Sequence, residues 1–231
     1  MLKLYHRIYY FSINFQTYIL TPFIYYDIIF LNTCYNGGKM KALISVSDKK
    51  GIVDFTKYLS SLGIEIISTG GTYDLLVKSG ITVTHISTLT SYDKPINSII
   101  KTLYPEIYAG ISVNRSNQEQ MNQLEKANIS PIDFVIVNLF PFESLLNNSQ
   151  LSIDNCLDFI DIGGSTMLRS AAKSYKDIVV VCDSGDYSKI IKELESTNNI
   201  SIETRKYLAK KVFKATSNYD LKISKFLDNY F

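Results

Sequence analysis

From residue 40 onward, stretches with a two-residue apolar period and stretches with a helical period follow one another in turn, which predicts alternating strands and helices. Lys41 to Val46 reads as a buried strand. In Gly51 to Leu62, residues Ile52, Phe55, Leu59 and Leu62 repeat at the spacing of one helical face, and Gly63 supplies the stop. The unit recurs as strand 64–68, helix 72–79 closed by Gly80, and strand 81–86. Helix 118–127, strand 134–139, helix 165–174 and strand 178–182 follow. Ser201 to Tyr230 is helical in pattern and rich in Lys, and predicts a helical pair packed on the sheet or on a partner. The expected fold class is α/β, a parallel sheet with helices on both faces plus C-terminal helices. No repeat or low-complexity linker interrupts residues 40–231, so they are expected to form one domain, with ligands beyond the carboxyl ends of the strands.

Residues 1–39 differ from the rest. They hold seven Tyr and four Phe, yet Pro22 and Asp27 break the segment before it reaches the roughly 20 apolar residues of a membrane helix. It also lacks the cleavage pattern of a secretory signal. Gly37-Gly38-Lys39-Met40 can be encoded by a ribosome-binding sequence followed by a start codon, and four Arg against twenty Lys suggest an AT-rich genome. Residues 1–39 are therefore expected to be upstream sequence and Met40 the native start; a membrane-surface anchor is the competing reading.

Lys plus Arg number 24 against 22 Asp plus Glu, so no broad basic surface for nucleic acid is expected. Cys34, Cys156 and Cys182 lie far apart without a C-x-x-C pair, which argues against a disulfide framework or a zinc site and suits a reducing cytoplasm. Of the two histidines, His6 and His85, the second lies in the alternating run Ile81 to Ile86 and is expected at an exposed strand position.

Chemistry concentrates in loops. Ser45-Val46-Ser47-Asp48-Lys49-Lys50-Gly51 joins a strand to a helix start and offers hydroxyls, a lysine and backbone N–H groups to a phosphate; taken alone it is better explained by helix capping through Ser47 or Asp48. Ser68-Thr69-Gly70-Gly71-Thr72 lets the backbone approach a ligand closely, or forms a tight turn capped by Thr72. Lys101-Thr102-Leu103-Tyr104-Pro105 and Asn138-Leu139-Phe140-Pro141-Phe142 are less telling. More specific is the run Ile160 to Lys173, where Gly163-Gly164 opens a helix toward an oxyanion and Asp161 and Lys173 offer an acid and a base. Asp161 as a simple N-cap and Lys173 as a solvated helix residue are the alternatives.

Taken in order, these motifs resemble the cyclohydrolase domain of bifunctional AICAR transformylase/IMP cyclohydrolase, from Met40 to the end. Pro131-Ile132-Asp133 and Glu203-Thr204-Arg205-Lys206 join the match. The resemblance implies a methylglyoxal-synthase-like fold and ring closure of FAICAR, a phosphoribosyl imidazole carboxamide bearing a formamido group, to IMP, without metal or cofactor. It implies Lys101, Asp161 and Lys173 as catalytic residues. Ser45, Ser47, Lys49, Ser68, Gly70, Gly71, Thr72 and Thr102 would bind substrate, as would Asn138, Phe140, Gly163 and Gly164. A homodimer and a separate transformylase subunit are the implied partners, and formyl transfer from a folate is not expected of this chain.

The chain departs from the family pattern at Ile99, where an arginine is usual, and at Tyr104 and Tyr108, where histidines are usual. Phe140 replaces a catalytic tyrosine and removes a hydroxyl that could hydrogen-bond the reacting formyl group. Phe140 and Ile99 favour a second reading, a catalytically decayed nucleotide-monophosphate-binding or assembly module. A methylglyoxal synthase proper is a third, for which His85 is poorly placed.

Overall fold

Covered on both faces, a central strand must be apolar throughout, and in β1 (Lys41–Val46) Ala42, Leu43 and Ile44 are fully buried. The computed structural model describes residues 39–90, 102–142, 144 and 153–228. After β1 come α1 (Ile52–Ser61), β2 (Glu65–Ser68), α2 (Gly70–Lys78), β3 (Thr84–His85) and a 3-10 turn at Ile86–Leu89. Then follow α3 (Pro105–Ser112), α4 (Gln118–Lys126), β4 (Phe134–Asn138), α5 (Ile153–Leu157), α6 (Ile162–Lys173) and β5 (Val179–Val181). A 3-10 turn at Ser184–Asp186, α7 (Tyr187–Thr197) and α8 (Ile202–Leu227) complete it.

The five strands pair in parallel in the order β3-β2-β1-β4-β5. Ala42 stands opposite Ile66 on one side and Phe134 on the other. α1 packs against α2 and α7, while α6 packs against α3 and α8. Right-handed crossovers run one way from β1 through β2 to β3 and the other way from β3 through β4 to β5, which puts these groups on opposite faces. The α/β class read from the sequence is the fold observed.

Local chemistry sets the element ends. The buried positions of α1, Ile52, Phe55, Thr56 and Leu59, form one face, and Gly63 leaves the helix at φ 78°. Asn117 caps α4 through the Gln120 N–H, and Ser201 caps α8 through that of Thr204.

Three expectations change. The strand at 81–86 shrinks to Thr84–His85, because His85 turns its ring nitrogen to the Ser87 N–H and starts a 3-10 turn. His85 is half-buried and meets Tyr73 edge-on at 4.8 Å. The C-terminal helical pair is a single helix of 26 residues, about 39 Å long. Lys211 fastens it to the end of β5, 2.8 Å from Asp183 and 2.7 Å from Asp186. Among the described residues no helix is long and apolar enough to cross a membrane. The expectation for the leader falls, apart from Lys39, outside the described residues.

Candidate functional site

The chain leaves β1 toward β2 on one side and resumes at β4 on the other, so the loops after β1 and β4 part at the crevice where parallel sheets take ligands. Each helix packed on the sheet between parallel strands runs back against them. The starts of α1, α2 and α6 therefore gather at the same carboxyl edge.

At this edge Asn138, the last residue of β4, fixes the loop after β1. Its Oδ1 accepts from the N–H groups of Ser47 at 2.6 Å and Asp48 at 2.9 Å, and its Nδ2 donates to the Asp48 carbonyl at 2.9 Å. Thr72, 3% exposed, reaches from α2 to accept from the Val46 N–H at 3.1 Å and donate to the Val46 carbonyl at 3.0 Å. Neither loop is a capping device. α1 starts at Gly51 without a side-chain cap, and the Thr72 hydroxyl ties α2 to β1 instead of closing its own helix.

Lys49 folds into this frame, donating to the Val46 carbonyl and, at 3.0 Å, to the Thr72 hydroxyl. Burial holds its pKa below the ordinary 10.5, against the opposing charge of Asp48. A cation held this way, partly desolvated, interacts more strongly with a dianion than one in bulk water. Beside it α2 begins without a side-chain cap from Thr69. A Cβ built on Gly70 or Gly71 would meet nothing within 4 Å. The open helix start, its N–H groups and dipole aimed outward, suits a phosphate. Ser45 and Ser47 are half-buried along the loop. Ser68 is fully buried, its hydroxyl 2.7 Å from the Ile44 carbonyl inside the sheet.

Around the start of α6, Asp161 is the N-cap, with Oδ1 2.7 Å from the Gly164 N–H. The Tyr219 hydroxyl from α8 accepts from the Asp161 N–H at 2.8 Å. A Cβ on Gly163 would run into the hydroxyl of Thr102, and one on Gly164 would lie 2.5 Å from Asp161 Oδ2. The glycine pair thus keeps this helix start narrow enough for Thr102 and Asp161 to close on it. Tyr108 of α3 brings its hydroxyl 3.5 Å from the Gly163 carbonyl. Phe140 stacks on Phe159 at 5.2 Å.

Of the three catalytic candidates, Asp161 lies at this cluster. Lys101 lies outside the described residues. Lys173 is exposed at the opposite end of the 12-residue α6 from Asp161, about 18 Å away at 1.5 Å per residue. The structure does not bring the two together as an acid and base pair. Conversely, Tyr108 and Tyr219 meet the α6 start without having stood out as candidates. Tyr108 carried a signal in its departure from the family histidine; Tyr219 carried none, because its partner lies 58 residues away.

An MGS-like domain model matches residues 51–166, and an AICARFT/IMPCHase bienzyme model matches residues 171–230. Bifunctional purine biosynthesis protein PurH of Fusobacterium nucleatum is 50% identical over 189 residues, 82% of this chain and 37% of that protein. PurH of Acetivibrio thermocellus is 46% identical over 187 residues, 81% of this chain and 36% of its own length. The chain thus spans little more than a third of these relatives. The crystal structure of ForH superimposes with a TM-score of 0.72 at 28% identity, covering 81% of this chain and 98% of that one. With strand order, carboxyl-edge loops and α6 start all in place, the chain belongs to the MGS-like domain family.

Proposed function

We propose that residues 40–231 are an IMP cyclohydrolase, closing the purine ring of FAICAR with loss of water. The observation that carries the reading is the convergence of the loops after β1, β2 and β4 with the start of α6 on one sheet edge. The ribosyl phosphate sits on Ser47, Lys49 and the Gly70-Gly71-Thr72 helix start, assisted by Thr102. Asn138 holds the loop in register. The imidazole then extends toward α6, whose first-turn N–H groups and dipole stabilise charge on the formyl or carboxamide oxygen. The carboxamide nitrogen attacks the formyl carbon, and Asp161 accepts the proton this nitrogen gives up. Lys101 is the proposed assisting cation. Lys173 has no part in the proton transfer at this cluster.

A homodimer in the cytoplasm completes the proposal. The test is the absorbance change of IMP formation from FAICAR by the purified chain. A chain that makes no IMP overturns the proposal. Phe140 favours the second reading, a decayed module, for which monophosphate binding without turnover is the signature.

A further inference from the structure

Two departures from the family pattern each lie against residues that flank Asp161. Phe140, lacking a hydroxyl, stacks on Phe159, two residues before Asp161. Tyr108 points its hydroxyl at the carbonyl of Gly163, two residues after it. The Thr166 side chain and the Asp161 carboxylate are its other polar neighbours. Building on the cyclohydrolase reading, we propose that the Tyr108 hydroxyl is the hydrogen-bond donor to the formyl oxygen, supplying from α3 the group that position 140 lacks.

The Thr166 side chain hydrogen-bonds this hydroxyl, while the Gly163 carbonyl at 3.5 Å is too far for a well-formed bond, so a substrate oxygen competes mainly with Thr166. The side chain is half-buried, and a donor in such surroundings acts more strongly than one in water. Burial, opposed by the Thr166 hydrogen bond and aided by the Asp161 charge, pushes the phenol up to about 12. The group therefore keeps its proton and works as a neutral donor. No proton needs to leave it. As the carbon–nitrogen bond forms, negative charge grows on the formyl oxygen, which departs as water with one proton from the carboxamide nitrogen and one from the formamide nitrogen. Tyr108 steadies that oxygen while the protons move.

The experiment compares the whole chain with Tyr108→Phe, Tyr108→Phe/Phe140→Tyr and Phe140→Tyr. IMP formation is followed by absorbance, and affinities for FAICAR and for AICAR, which lacks the formyl group, are measured by calorimetry. Tyr108→Phe is expected to lower kcat about 10- to 100-fold with KM within about twofold. The loss stays constant from neutral to mildly alkaline pH, and the double variant recovers most of it. A kcat within twofold of wild type in Tyr108→Phe overturns the proposal. If the unmodified chain makes no IMP, the cyclohydrolase reading fails separately, and affinity decides on Tyr108. Loss of the hydroxyl should then reduce the preference for FAICAR over AICAR about fivefold or more, and an unchanged preference sinks the assignment.

Discussion

Lys49 and Thr72 illustrate what individual residues disclose before the chain is folded. A lysine and hydroxyls after a strand announce an anion site. That Thr72 would instead tie α2 to Val46, 26 residues away, depends on the pairing of β1 and β2 and was not legible locally. Lys49→Ala should weaken monophosphate binding at least about tenfold, given charge-assisted bonds of roughly 1.5–3 kcal/mol. Its lowered pKa adds a pH signature. A bound dianion raises that pKa again, so affinity is full below the free-state value and falls as pH rises through it, earlier than the ordinary 10.5. Calorimetry at rising pH checks this; the riboside should show no such fall. At Gly110 the constraint is steric, since a Cβ would sit 2.8 Å from the Ser130 carbonyl. Gly110→Ala should cost about 1–3 kcal/mol in thermal unfolding, because a backbone carbonyl cannot rotate aside.

At the scale of elements, the alternation of strand and helix was legible because a parallel sheet buries whole strands. Boundaries drifted where side chains took over. α6 starts at Ile162, ahead of the expected Ser165, because Asp161 caps it. α3 announces itself only by Pro105 at its first turn and three buried positions. The joint between α7 and α8 rests on Glu193, whose carboxylate accepts from the Ser201 N–H at 3.0 Å. Burial works against its ionisation, yet hydrogen bonds from Ser201 and Thr204 outweigh this and hold it below the ordinary 4.5. Glu193→Gln should lower stability by about 1 kcal/mol at neutral pH, or about 2–4 °C in Tm. The carboxylate's contribution is present above its unfolded pKa and is lost as pH falls through the lower folded one, so the two melting curves should converge in acid.

For the whole molecule, the topology opens a crevice at the switch between β1 and β4, whereas the strand alternation foretold only that ligands lie beyond the carboxyl ends of the strands. The α6 cluster was legible only in part: Gly163, Gly164 and Asp161 could be read from sequence, but Tyr219 arrives from a helix whose path no local pattern fixes. Tyr219→Phe should leave the sheet intact. Without its acceptor the half-buried Asp161 N–H costs about 1–3 kcal/mol, and IMP formation should fall more than monophosphate affinity does. The separation of 58 residues between the two partners also has a meaning in time. A ribosome adding about 5–20 residues per second delivers Tyr219 roughly 3–12 s after Asp161, so during synthesis the loops after β1 and β2 are complete several seconds before the start of α6 receives its brace.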